Sequence, residues 1–150
     1  MGKILIPETV LAYTAGIIDG EGWIGICKTY AKGRKTLGKI YPHRMFQISV
    51  SNSIESMIDY LHINFGGVKT FGHRPNRKPY YRWTITSRSA EDFLRMIYPY
   101  LVAKRDQAEI SFRFRETFRK RNQWSRTVPP EDLAVREECY KSLRDLKRAA

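Results

Sequence analysis

The sequence predicts an α+β fold, an αββαββα chain whose single antiparallel sheet carries helices on one face. Three observations predict it. Segments of helical apolar spacing alternate with pairs of period-two segments, in the order helix, two strands, helix, two strands, helices. The loop at residues 74–79 is basic and bounded by prolines, and joins the last two strand segments as a hairpin. The strand segments alternate apolar with polar residues, so one sheet face is left open.

The first helix is expected over residues 8–18, with apolar side chains at Val10, Leu11, Ala15, Ile17 and Ile18. Pro7 stands just ahead, where a missing N–H costs nothing. A strand over 22–29 puts Ile24 and Ile26 on one face and Gly25, Cys27 and Thr29 on the other. A second, over 43–51, turns Phe46, Ile48 and Val50 inward and Met45, Gln47, Ser49 and Ser51 outward. Residues 53–65 place Ile54, Met57, Ile58, Leu61 and Phe65 at helical spacing, closed by Gly66-Gly67. A weaker strand follows at 68–73. The strand at 80–86 sets Tyr81, Trp83 and Ile85 against Tyr80, Arg82 and Thr84. Ser89, followed by Glu91 and Asp92, reads as an N-cap with an acidic first turn, opening a helix to Ile97. Pro99 interrupts, and a further helix runs from Leu101 to Arg121. After a loop at about 123–130, Pro129-Pro130-Glu131 opens a last helix with the stripe Val135, Cys139, Leu143 and Leu146. No repeat or low-complexity tract divides the chain, so residues 1–150 read as one domain.

The composition narrows the function. With 27 Lys+Arg against 15 Asp+Glu, the formal net charge is +12, which points to a polyanionic partner, most simply nucleic acid. Hydrophobic residues at 42% argue against disorder. The two cysteines, Cys27 and Cys139, make neither a disulfide framework nor a zinc site. No apolar run reaches the roughly 18 residues that span a bilayer, and the N-terminus does not read as a secretory signal. An intracellular protein with no membrane partner is the expectation.

The open sheet face is expected to carry His43, Met45, Gln47, Ser49, Lys69, Phe71, His73, Tyr80, Arg82 and Thr84. Basic, flat and hydrogen-bonding residues dominate, with no carboxylate among them. Such a surface reads base edges while loop cations hold phosphates. Cys27, Thr29, Tyr41, Arg77 and Lys78 flank it and join the expected DNA contacts.

The most specific segment is 11–24, an apolar helix that ends abruptly. Gly16 lets a second helix approach closely, and Gly20 and Gly22 permit a sharp turn into the strand. Asp19 and Glu21 sit beside the negative end of the helix dipole, an unfavourable place for a carboxylate. A hard divalent cation would remove that conflict; a turn with solvated acids is the other reading that chemistry leaves open.

Thr14-Ala15-Gly16-Ile17-Ile18-Asp19-Gly20-Glu21-Gly22 resembles the motif of the LAGLIDADG homing endonuclease family. The Phe46-Gln47-Ile48-Ser49-Val50 strand, Gly66-Gly67, Pro79-Tyr80-Tyr81-Arg82-Trp83 and Tyr98-Pro99-Tyr100 through Ala108 resemble its single-motif members, over about residues 8 to 120. The resemblance implies a saddle-shaped sheet on double-stranded DNA and a homodimer whose motif helices pack across a two-fold axis. Tyr13, Ala15, Gly16 and Asp19 would lie at that interface. It implies site-specific, metal-dependent cleavage of a long pseudo-palindromic site across the minor groove, leaving 3′ overhangs, by an intron-encoded enzyme. No small-molecule substrate is implied. By position, Glu21 matches the metal-binding acid and the Gly20 carbonyl a second ligand. Lys104 matches the basic residue bordering the pocket behind the metal, and Asp19 a mainly structural acid. Mg²⁺ is the implied cofactor, with Mn²⁺ or Ca²⁺ as substitutes for binding. The chain departs from the pattern at Val50 and Ile54, where some members have polar residues bordering that pocket. The alternative reading is a non-catalytic binder such as an RNA maturase that assists splicing.

His43, His62 and His73 are scattered without metal-ligand spacing. The basic runs at Arg113–Arg121 and Lys141–Arg148 read either as solvated helix faces or as backbone contacts to DNA.

Overall fold

Pro7 opens α1 (Glu8–Glu21), its carbonyl accepting the N–H groups of Val10 and Leu11 at 3.0 and 3.2 Å. The fold, seen in a computed structural model, is described for residues 5–29, 43–119 and 128–150. The chain continues through β1 (Gly22–Thr29), β2 (His43–Asn52), α2 (Glu55–Phe65), β3 (Val68–Gly72), β4 (Tyr80–Thr86), α3 (Ser87–Ile97), α4 (Arg105–Arg119) and α5 (Pro130–Ala149). A single 3₁₀ turn at Tyr98–Tyr100 absorbs Pro99 between α3 and α4. The expected α+β order and the one-sheet architecture are observed.

The four strands form one antiparallel sheet in the order β1-β2-β4-β3. Its inner face presents Ile24, Ile26, Phe46, Ile48, Val50, Trp83 and Ile85, all buried against Ile17 and Ile18 of α1, Ile58 and Leu61 of α2, Phe93 and Leu94 of α3, and Phe114 of α4. Burying one large side chain of this kind contributes about 1.5–3 kcal/mol. The Trp83 indole N–H donates to the Gly66 carbonyl at 2.7 Å, so the largest core side chain leaves no polar atom unpaired. Cys139 and Leu143 anchor α5, as its stripe predicts.

Boundaries shift where tertiary partners act. α1 runs past Ile18 to Glu21, so Asp19 and Glu21 belong to the last turn of the helix itself. α4 begins at Arg105 rather than Leu101, because the amides of residues 102–104 are held by Asp19 instead. Arg136, beside the apolar stripe of α5, is buried and donates from Nε to Thr117 Oγ1 at 2.8 Å. Buried Glu91 joins α3 to α4 by accepting from Arg95 at 3.0 Å and Arg115 at 3.1 Å.

Candidate functional site

The junction of α1 and β1 is built around one carbonyl. Ile18 O accepts the N–H of Gly22 and the ammonium of Lys104, the latter at 2.6 Å. A Cβ on Gly22 would lie 2.7 Å from that oxygen, so only glycine lets the chain double back here. Lys104 also donates to the Gly22 carbonyl. Burial pushes its pKa below the ordinary lysine range, while Asp19 and Glu21 pull the other way.

Asp19 looks inward. Its carboxylate accepts the backbone N–H groups of Val102, Ala103 and Lys104 at 2.8, 3.1 and 3.0 Å. Glu21 does the opposite: it is exposed, and among the described residues its carboxylate meets no hydrogen-bond or ion-pair partner. An unpaired acid therefore stands at the C-terminal end of α1, where the helix dipole disfavours it. Among the described residues no three His, Cys, Asp or Glu side chains form a metal-holding group. One copy of the chain thus supplies a single carboxylate here, together with the carbonyls of the last turn of α1. That donor set, made of oxygens alone, fits a hard divalent cation.

The open face follows from the register. Gly25 pairs with Gln47, Cys27 with Met45, and Trp23 with Ser49; Ser49 pairs in turn with Thr84, and Ser51 with Arg82. Cys27 Sγ lies 3.6 Å from Gln47 Oε1, and burial raises its pKa, against the neighbouring Lys147. Arg82 donates to Ser51 at 2.9 Å and stands 5.7 Å from the Tyr80 ring. Met45, Gln47, Ser49, Cys27, Tyr80, Arg82 and Thr84 are thus gathered on one surface, with Arg77 and Lys78 exposed in the β3–β4 turn. Thr29 and His43 pair at the far end of β1 and β2. Tyr41 lies outside the described residues.

The structure places three expected residues elsewhere. Lys69 pairs with the buried Trp83 and Phe71 with Tyr81, so both belong to the helix side of the sheet. Lys69 reaches Glu55 at 2.7 Å and also Asp59, both on α2, which raises its pKa. Val68 and Thr70 take the open face instead. His73 lies in the turn beyond β3. Trp23, on the open face and 37% exposed, is a surface residue that strand alternation alone did not single out.

Along α1, Ala15 is fully buried in the core of its own chain, so it is not part of an exposed helix face. Ala12, Tyr13, Gly16 and Gly20 are exposed, and a Cβ on Gly16 or Gly20 would meet open space. Tyr13 also stacks edge-on against Tyr60 at 5.2 Å. Val50 is fully buried opposite Gly22, and Ile54 is exposed just before α2. Neither offers a side-chain hydrogen bond to the junction.

Residues 14–121 match the family model for the LAGLIDADG endonuclease. The chain belongs to that family. Among solved structures, this LAGLIDADG chain shares its fold with the homing endonuclease I-CvuI in complex with DNA, at 18% identity and a TM-score of 0.72, covering 93% of this chain and 82% of that one. The archaeal intron-encoded I-Vdi141I complexed with DNA matches at 12% identity and a TM-score of 0.68, over 93% and 84% of the two chains. I-SmaMI bound to cleaved DNA matches at 15% identity and a TM-score of 0.67, over 95% of this chain but 45% of that one. No protein among the curated sequences matches the chain in sequence. No helix among the described residues is long and apolar enough to cross a membrane.

Proposed function

We propose that this LAGLIDADG protein is a site-specific double-strand DNA endonuclease that works as a homodimer with a divalent metal at Glu21. The observation that carries the reading is the state of that acid. Glu21 is exposed at the motif helix end and, among the described residues, unpaired, beside an open sheet face that carries Arg82 and whose strands hold no carboxylate. Family membership supports a nuclease, and the I-CvuI structures, with DNA not cleaved in 2 mM Mg and with DNA in 2 mM Ca, support the use of a divalent metal. The match over 45% of I-SmaMI supports the dimer, because this chain supplies about half of that larger protein.

Each copy would hold the metal through the Glu21 carboxylate and the Gly20 carbonyl. A bound Mg²⁺ supplies Lewis-acid polarisation of the phosphate and eases loss of a proton from water; Mn²⁺ or Ca²⁺ would support binding. The exposed stripe Ala12, Tyr13, Gly16 and Gly20 brings two motif helices together and sets the two Glu21 side chains side by side. Lys104 fixes the junction through two carbonyls, and its remaining donor offsets negative charge near the phosphate. Met45, Gln47, Ser49, Arg82 and Thr84 read base edges, while Arg77 and Lys78 hold backbone. Two such centres cut both strands of a long pseudo-palindromic site across the minor groove and leave 3′ overhangs, as suits an intron-encoded enzyme.

A second reading is a nucleic-acid binder without cleavage, such as an RNA maturase. The apolar Val50 opposite Gly22, and the commitment of Lys104 to backbone carbonyls, favour it. The test is selection of a bound duplex from a randomised library, followed by incubation in Mg²⁺ and in Ca²⁺. Double-strand cleavage in Mg²⁺ that is abolished by Glu21→Gln, with binding retained, is the expected result. Full nicking by the Glu21→Gln protein refutes the metal assignment, and binding without cleavage by the wild type establishes the binder.

A further inference from the structure

The last turn of α5 delivers a cation to the open face of the sheet. Gly25 alternates with the buried Ile24 and Ile26, so a side chain at that position would project onto the open face. A Cβ there would lie 2.3 Å from the Trp23 ring and 2.8 Å from Lys147 Nζ. The bare backbone lets the indole lie over β1 and lets Lys147 come round this edge strand to rest on it, with Nζ 4.1 Å from the ring centroid. Among the described residues the ammonium finds no carboxylate, carbonyl or hydroxyl to receive its protons. Burial lowers its pKa to about 8, with Cys27 opposing the shift and Lys104 adding to it.

The two lysines near the motif therefore differ in kind. Lys104 approaches the α1–β1 junction with two donors bound to carbonyls. Lys147 has no such acceptor among the described residues, on the face whose strands carry no acid. A half-buried cation without an acceptor among the described residues is open to an external anion, which replaces water at its donors. Gly25 lies three residues beyond Gly22, where β1 begins, about 10 Å along an extended strand, which is about three steps of a nucleic-acid strand at about 3.4 Å each.

We propose that Lys147 docks a backbone phosphate of the bound nucleic acid a few nucleotides from the Glu21 centre, so that the C-terminal helix forms part of the binding surface. The assignment rests on the nucleic-acid reading above. The aromatic seat gives Lys147 a fixed position despite its flexible stem, which distinguishes it from the solvated lysines of the loops.

The experiment is the salt dependence of binding to a selected duplex for the wild type, Lys147→Met and Lys147→Arg. Met keeps an apolar stem on Trp23 and removes the charge. Each phosphate that a protomer no longer neutralises lowers the slope of log K against log salt by about 0.9, hence about 1.8 for a homodimer. Lys147→Met should show that reduced slope and, as a homodimer, bind about thirtyfold more weakly at about 0.15 M salt, while Lys147→Arg keeps the wild-type slope. Should Lys147→Met fail to fold, Lys147→Gln is read in the same way. A wild-type slope in the neutral variants overturns the assignment, as does an equal reduction in Lys147→Arg. A wild type that binds without cutting defeats the endonuclease reading, yet leaves the slope to decide Lys147. A wild type that binds no duplex defeats both.

Discussion

Asp19 and Lys104 hold one another across the start of α4. Asp19 Oδ1 accepts the Lys104 backbone N–H at 3.0 Å, while the Lys104 ammonium returns to the carbonyl of Ile18 at 2.6 Å. Each side chain thus ties the element that carries the other, and Glu21, two residues on, is left outside the clamp. The motif's two acids divide between building the site and facing the solvent.

Asp19→Ala should therefore destabilise the fold, whereas Glu21→Gln should not. The first removes an acceptor shared by three backbone N–H groups, with charged-group hydrogen bonds contributing about 1.5–3 kcal/mol each before relaxation and water recover part of that stabilisation. A net cost of about 2–4 kcal/mol is expected in urea unfolding. The second alters an exposed, unpaired carboxylate and should shift stability by about 0.5 kcal/mol or less. Equal effects would show that the clamp does not hold the junction.

Neighbouring residues of α1 should separate folding from assembly. Ala15 is fully buried, so Ala15→Leu overpacks the core and should cost about 1–3 kcal/mol. A Cβ at Gly16 meets open space, so Gly16→Leu should leave the protomer folded, even slightly stabilised by helix propensity. Analytical ultracentrifugation should nevertheless find the Gly16→Leu protein monomeric. A dimer of normal affinity would remove the α1 stripe from the interface.

How much of the fold and site is legible in the sequence depends on where each determinant lies. The alternation in β1, β2 and β4 is set by strong apolar residues, and their faces follow directly. β3 has five residues, Val68-Lys69-Thr70-Phe71-Gly72, and either phase places one apolar side chain on each face. The choice falls to Glu55 and Asp59 on α2, which draw Lys69 to the helix side, an attraction that strand periodicity does not encode. Asp19, Gly22 and Glu21 are local to the motif and legible within it. Lys147 is not, since it meets Trp23 only because α5 packs beside the β1 edge, 124 residues later in the chain.

The phase of β3 gives a direct contrast on DNA. Lys69→Met should leave affinity for the selected duplex within about twofold, because its ammonium faces α2. Arg82→Ala, removing an open-face guanidinium held by Ser51, should weaken binding by about 1–3 kcal/mol and relax base preference at one position. Gel-shift titration measures both. A weakening for Lys69→Met as large as that for Arg82→Ala would return Lys69 to the DNA face.

The depressed pKa of Lys147 adds a signature that the isolated protein can show. Below pH about 8 the folded state must hold a desolvated ammonium that the unfolded chain hydrates freely. Between that value and the ordinary lysine value of about 10.4, the unfolded chain binds more protons at this site than the folded one, so stability rises with pH. Lys147→Met has no such group. The melting temperature of the wild type relative to Lys147→Met should therefore increase from pH 7 to pH 9.5, whatever else titrates in common. A difference that stays flat, measured in parallel thermal melts, would mean that the ammonium is hydrated in the folded protein. The indole would then act as a surface for the lysine stem and not as a seat for its charge.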